Sequence, residues 1–224
     1  MESFIFNGYK SYEDLSIVVK EMPPVSRAEK NIETIKVNGR NGNLHIDNKT
    51  YNSKSYTIQC VLLDSTKIDL IKSVFHGTGI LTLSTEPNRE YNATIKNQID
   101  FSKYLTFLKE FPLQFDVDPF SFSNTLQTKE FTSSSNFNVG GTIEVNPTLI
   151  ISGIGTITLN NIQINVTESD ITIDCDLMEC VKNNTNKSDK VNLEQFPKLL
   201  VGQNTINIGD GITKVIIKYK EGWL

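Results

Sequence analysis

His45 and His76 are the only imidazoles in the chain, so any histidine chemistry must be built on one of them. Neither sits in a Cys/His/Asp cluster, and neither a His-Glu-x-x-His nor a Gly-x-Ser-x-Gly motif occurs. His76 stands next to Gly77 at the end of a helical pattern, where a cation-capable ring suits the dipole. His45 lies between Leu44 and Ile46 in a strand pattern, and both histidines read as structural. The cysteines Cys60, Cys175 and Cys180 are odd in number, which does not make a disulfide framework. Cys175 and Cys180 fall on opposite faces of a regular strand, poor geometry for a disulfide or a shared metal. Cys60 and Cys175 read as small buried hydrophobes. Asp170, Asp174 and Asp176 share strand parity, and grouped carboxylates can hold Ca²⁺. At strand rise the carboxylates of Asp174 and Asp176 are roughly 6–7 Å apart, a separation compatible with paired-carboxylate hydrolysis. Their alternation with Ile171, Ile173 and Cys175 is explained more simply by a solvated face opposite a buried one. No catalytic residue, metal or cofactor is assigned, and no enzymatic activity is expected.

Gly153-Ile154-Gly155 and Gly202-Gln203-Asn204 are followed by no helix, so they read as turns rather than phosphate cradles. Asn48-Lys49-Thr50, Asn92-Ala93-Thr94 and Asn165-Val166-Thr167 match glycosylation acceptors. The N-terminus has neither a basic segment nor a long apolar stretch, so these matches are ascribed to an Asn-rich composition. An exposed aromatic set can stack on sugars, and Phe196, Tyr219 and Trp223 are the candidates for glycan contact. Through them, a carbohydrate-binding β-sandwich module recognising cell-wall glycans is the alternative to a structural role.

The 224 residues carry a formal net charge of −4 with a pI near 5.3, which offers no basic field for phosphates. Nucleic-acid specificity is not expected. No run of about 18 apolar residues is present, so no spanning helix and no membrane insertion are expected. Synthesis in a cytoplasm is the expectation for such a chain.

The elements that must position any site are nearly all strands. Glu29 to Asp47 reads as a hairpin around Asn38-Gly39-Arg40-Asn41-Gly42. Tyr56, Ile58, Cys60 and Leu62 alternate with polar residues, giving one apolar face. Ile68, Ile71 and Phe75 predict one amphipathic helix of roughly twelve residues, capped by Asp64 or Ser65 and closed by Gly77. Leu105, Phe107, Phe111, Leu113, Phe115 and Val117 give the longest period-two signal, and Pro112 within it argues for an edge strand or a bulge. Residues 121–141, rich in Ser, Thr, Asn and Gly, read as a linker between residues 1–120 and a β-sandwich over 142–224. Within the sandwich, hairpins are predicted at Asn160-Asn161 and at Gly209-Asp210-Gly211. The fold class is mainly β, an N-terminal β-rich domain with one helix followed by an antiparallel sandwich.

The opening Phe4-Ile5-Phe6-Asn7-Gly8-Tyr9-Lys10-Ser11 resembles the start of distal tail proteins (Dit) of long-tailed phages of Gram-positive hosts. Val37-Asn38-Gly39-Arg40-Asn41-Gly42, Gly79-Ile80-Leu81-Thr82-Leu83-Ser84 and Phe115-Asp116-Val117-Asp118-Pro119-Phe120 extend the resemblance in family order. So do Asn146-Pro147-Thr148-Leu149-Ile150-Ile151 and Phe196-Pro197-Lys198-Leu199 with Gly202-Gln203-Asn204-Thr205-Ile206. The resemblance implies a virion structural protein at the tail tip of an infectious phage, a prophage or a tail-like particle. It implies a split-barrel-like first domain that closes a homo-hexameric ring and a galectin-like second domain facing outward. The implied partners are the tail tube protein, the tail-associated tip protein and the tape-measure protein, around the hub of a baseplate. Asn38, Gly39, Arg40, Asn41 and Gly42, at the hairpin tip, are the expected oligomer contact. Residues 1–120 are expected to assemble, and residues 130–224 to fold alone as a monomer.

Overall fold

The computed structural model describes residues 2–99, 102–103 and 109–224. They divide into two compact units, residues 1–121 together with Leu224, and residues 122–223. The expected strand residues Leu105 and Phe107 lie outside the described residues.

The first unit contains β1 (Phe4–Phe6), β2 (Tyr9–Lys10), β3 (Ile17–Glu21), β4 (Lys30–Ile35), β5 (Leu44–Tyr51) and β6 (Lys54–Leu62). After the helix α1 (Ile68–Val74) come β7 (Thr78–Leu83), β8 (Arg89–Ile95), β9 (Ser102–Lys103) and β10 (Lys109–Ser123). Seven of these strands form one sheet in the order β2-β1-β7-β8-β10-β6-β3, with β9 beside β10. Alternation dictates its buried face: Phe111, Leu113 and Phe115 of β10 pair with Cys60, Ile58 and Tyr56 of β6, and all six are buried. Phe4, Phe6, Phe75 and Phe115 cluster with ring centroids 5.4 to 6.4 Å apart. The helix covers this face with Ile71, Val74 and Phe75. It is seven residues long, shorter than its apolar spacing predicts, because its first turn, Ser65–Lys67, is 3₁₀. Asp64 is the cap, its Oδ1 accepting from the Thr66 amide at 2.9 Å.

β10 is not an edge strand: it lies between β8 and β6. Pro112 is accommodated because its unpaired side meets a side chain instead of a strand. Asn97, beyond the end of β8, donates Nδ2–H to the Pro112 carbonyl at 2.9 Å and accepts the Gln114 amide at 2.8 Å. One carboxamide thus stands in for a strand at the place where proline has no N–H to offer.

The second unit contains β11 (Gln127–Phe131), β12 (Ser135–Val139), β13 (Thr148–Gly153), β14 (Gly155–Leu159), β15 (Ile162–Val166) and β16 (Ile171–Asp174). It continues through β17 (Glu179–Lys182), β18 (Thr185–Asn186), β19 (Val191–Leu193), β20 (Gly202–Ile208), β21 (Ile212–Tyr219) and β22 (Gly222–Trp223). One antiparallel sheet has the order β11-β21-β13-β16-β17-β18 and the other β12-β20-β14-β15-β19. Their inner faces share one core that includes Leu149, Ile151, Ile173 and Ile217 from the first and Ile157, Ile164 and Ile206 from the second. This is a sandwich.

Two expectations fail here for topological reasons. The polar stretch 121–141 is not a linker: β11 pairs with β21 and β12 with β20, one strand for each sheet. In β12, Ser135, Asn136 and Asn138 occupy outward positions and Phe137 and Val139 supply the inward ones. Gly209-Asp210-Gly211 does not close a hairpin, because β20 and β21 belong to different sheets. It is a crossover, packed against the second crossover, Gly153-Ile154-Gly155. The Ile154 amide donates to the Gly211 carbonyl at 3.0 Å and the Gly209 amide to the Thr156 carbonyl at 2.9 Å. A Cβ on Gly153 would stand 2.2 Å from the Gly211 oxygen, so two backbones meet where no side chain fits. The Asn160-Asn161 turn does join a hairpin, β14 to β15, with Asn160 at φ 55°.

Candidate functional site

Among the described residues, the histidines, cysteines and aspartates singled out from the sequence are not assembled into a reactive centre. His45 Nδ1 lies 3.2 Å from Thr34 Oγ1 as a cross-strand pair, and His76 is exposed just past the helix. Cys175 and Cys180 do not take opposite faces: β16 ends at Asp174, a turn follows, and both thiols point into the core. Burial pushes the Cys175 thiol up to about 12, the neighbouring Asp174 adding to the effect, and it pushes Cys60 and Cys180 up as well. All three are free and held as thiols. The same turn removes the shared parity of the aspartates. Asp174 Oδ1 accepts from the amides of Asp176 and Leu177, at 2.9 and 3.0 Å, Asp176 accepts from Asn146, and Asp170 from Ser152. Among the described residues, no group of three or more His, Cys, Asp or Glu side chains is placed to hold a metal ion.

The proposed glycan contacts are not brought together. Tyr219 is 3% exposed and belongs to the sandwich core, so it cannot stack on a ligand. Its position in β21 alternates with the outward Lys218, which fixes the ring inward. Trp223 is half-buried in β22, whose neighbour Gly222 bridges to Gly141 and Ile143. Phe196 is half-buried against the core and lines a groove of about 380 Å³ with Ile162, Gln195, Lys198 and Leu200.

The expected contact loop, Asn38 to Gly42, is exposed throughout, with Gly39 and Gly42 at φ 81° and 80° and the Arg40 amide donating to the Val37 carbonyl. It is the tip of the β4–β5 hairpin, a two-stranded sheet of its own. Cross-strand register puts Ile35, Leu44 and Ile46 on one face and Ile32, Thr34 and His45 on the other. Neither face is covered: Ile32 is 47% exposed, Ile46 40% and Val37 39%. What holds the hairpin is polar and local: the Lys30–Asp47 ion pair, which draws the Asp47 carboxyl below its ordinary range, and Asn31 Nδ2 donating to Thr50 Oγ1 at 3.2 Å. At its root, the Tyr51 ring meets Phe120 edge-on at 5.8 Å. An isolated hairpin of this kind is marginal in water.

Residues 140–223 match the family model described as the siphovirus-type tail component, C-terminal domain. Over these residues the chain is similar to that family. No curated protein matches the chain. The crystal structure of the SPP1 Dit (gp 19.1) protein, described as a paradigm of the hub adsorption apparatus in phages that infect Gram-positive hosts, aligns over 100% of both chains with a TM-score of 0.78. At 13% identity this likeness is one of fold. The resemblance to distal tail proteins read from the sequence is thereby borne out: residues 140–223 match the tail-component model, and the full length shares the fold.

The tail-component motifs carry architecture. Pro147 offers its carbonyl to the Cys175 amide, and Pro197, Leu199 and Ile206 are buried. Asn204, read from the sequence only as part of a turn, is a fully engaged buried amide. It accepts from Asn160 Nδ2 and the Leu200 amide, both at 2.9 Å, and donates to the carbonyls of Leu200 and Gly202 at 2.8 and 3.1 Å. The sequence signal that would have found it is an asparagine at an inward position of the β20 alternation.

Proposed function

We propose that this protein is a non-enzymatic distal tail component that forms a hexameric ring at the tip of a phage tail. It joins the tail tube protein and the tape-measure protein on one side to the tail-associated tip protein on the other. The observation that carries this reading is the tail-component domain in the second unit, set in a chain whose full length follows the SPP1 Dit fold. The β4–β5 hairpin supports the ring: an uncovered arm with apolar residues on both faces gains most from docking on the next copy. Asn38 to Gly42 would then touch the neighbour, in a head-to-tail contact that closes by rotation.

The test is light scattering and negative-stain imaging of the full chain, alone and with the tail tube and tip proteins, for the parent and for a variant lacking Glu33 to Leu44. Rings of six in the parent and none in the deletion, with the second unit still folded, are expected. A parent that never forms rings in any mixture overturns the proposal. The alternative reading, a module built on Phe196, Tyr219 and Trp223, loses its basis with the burial of Tyr219.

A further inference from the structure

An asparagine followed by glycine is chemically labile, because glycine has no Cβ to shield its amide nitrogen from the preceding carboxamide. The chain has three such steps: Asn7-Gly8, Asn38-Gly39 and Asn41-Gly42. The fold treats them in opposite ways. Asn7 is locked to β7: its amide donates to the Ile80 carbonyl at 3.0 Å, and its Oδ1 accepts the Ile80 amide at 2.9 Å. Its carboxamide fills the space over Gly79, where a Cβ would stand 2.1 Å from Asn7 Oδ1. Cross-strand pairing of Phe6 with Tyr9 closes the backbone on either side of Asn7-Gly8. Asn38 and Asn41 have none of this. Both are exposed, in the loop between β4 and β5. Among the described residues, neither of their carboxamides has a hydrogen-bond partner. Nothing stands within 4 Å of the place a Cβ would take on Gly39 or Gly42. The loop is closed by a long bond, 3.3 Å from the Arg40 amide to the Val37 carbonyl, on a hairpin with neither face covered.

We propose that Asn38 and Asn41 are sites of spontaneous deamidation, a covalent modification that rewrites the charge and the backbone of the hairpin tip. The Gly39 amide nitrogen, on losing its proton, attacks Cγ of Asn38. A new N–C bond forms, the carboxamide C–N bond breaks, and its nitrogen leaves as ammonia with the proton that glycine gave up. Water then opens the cyclic imide at either carbonyl. The product is aspartate, or isoaspartate with Cβ drawn into the main chain. One water is consumed, one ammonia is released, and no oxidant or reductant is needed. Gly42 acts on Asn41 in the same way. Arg40 is the only charged residue between positions 38 and 42, so two conversions turn a single positive charge into a net single negative one. Each isoaspartate also lengthens the loop by one carbon. The chemistry takes place on the free chain and does not rest on the ring. One consequence does rest on it: a tip docked on a neighbour is shielded, so the modification separates chains that assembled early from chains that waited.

The test is a time course of the full chain in warm neutral buffer, folded or unfolded in urea. Peptide mapping by mass spectrometry follows it, with digestion at mildly acidic pH so that handling adds no conversion. In the folded chain Asn38 and Asn41 are expected to convert at least about tenfold faster than Asn7, which must wait for β1 to open from β7. In urea the three sites are expected to converge, because the protection of Asn7 belongs to the fold. The Asn38→Gln/Asn41→Gln variant is expected to keep the hairpin peptide unmodified, since glutamine closes its larger imide ring far more slowly. Equal rates at the three sites in the folded chain overturn the proposal. So does a folded chain whose Asn38 and Asn41 stay intact while the unfolded chain converts. Conversion at one of the two alone overturns the assignment of the other. Rings, where they form, are expected to convert more slowly at the tip than free chains. Equal conversion in rings and free chains would remove the tip from the subunit contact and leave the modification standing, so the two readings fail separately.

Discussion

Asn204 is 1% exposed, and a buried amide at that depth is stable only if each of its groups is answered. Its four hydrogen bonds tie residue 160 in the β14–β15 turn to residues 200 and 202 at the start of β20, so one side chain fixes two loops. Replacing it with alanine removes those bonds and leaves the Leu200 amide and carbonyl without their partner. The expected loss for Asn204→Ala is about 2–4 kcal/mol, from several net hydrogen bonds and the groups left unpaired, read as a lower urea midpoint with an unchanged slope. An unchanged midpoint would mean that water replaces the amide at no cost. Such a residue is hard to read from sequence: asparagine beside Gly202 has the composition of a turn, and burial comes from β12 and β14, remote in the chain, flanking β20. The three dispersed aromatics mislead in the opposite way. Tyr219 has the chemistry of a sugar platform, yet its parity in β21 sends it to the core.

At the scale of elements, the crossovers are the most constrained part of the sandwich. Gly153 and Gly211 have φ of 107° and 84°, and a Cβ on either meets a carbonyl oxygen of the other crossover at 2.2 or 2.1 Å. Gly153→Ala therefore combines a left-handed backbone with a backbone collision that no rotamer relieves. Its expected cost is about 2–4 kcal/mol, measured by thermal or urea unfolding. Gly39→Ala, at an open loop tip with a similar φ of 81°, should cost less because nothing stands near its Cβ. Equal losses at the two sites would show that φ alone decides. Alternation made β6, β10 and the β14–β15 hairpin legible, because each has one face in a core. It misplaced what alternation does not encode. Gly209 to Gly211 has the residues of a tight turn whether the chain returns to the same sheet or crosses to the other. Pro112 signals a missing N–H, but sequence does not reveal that Asn97 takes the place of a partner strand. The polar 121–141 stretch looks like a linker because each of its strands has one solvated face and a short apolar one.

At the scale of the whole molecule, the boundary decides what can be cut. A chain division near 142 leaves β11 and β12 outside the sandwich, whereas the second compact unit begins at Phe122, which packs on its core. The Ser123 amide donates to the Glu221 carbonyl at 2.8 Å and the Gly140 amide to Glu221 Oε1 at 3.0 Å, so both ends of the unit are tied within it. Residues 122–223 are accordingly expected to unfold cooperatively and to run as a monomer. A fragment of residues 130–224 removes Gln127, Thr128 and Lys129, which pair with Tyr219, Lys218 and Ile217. That bares the edge of β21 and forfeits several net hydrogen bonds, about 0.5–1.5 kcal/mol each. The exposed edge also invites pairing between copies. The shorter fragment should show a lower urea midpoint and concentration-dependent association, both visible by circular dichroism and sedimentation. Equal midpoints would show that β11 adds nothing to the sandwich. A hexamer formed by residues 122–223, with the first unit monomeric, would place the ring in the second unit and overturn the role proposed for the β4–β5 arm.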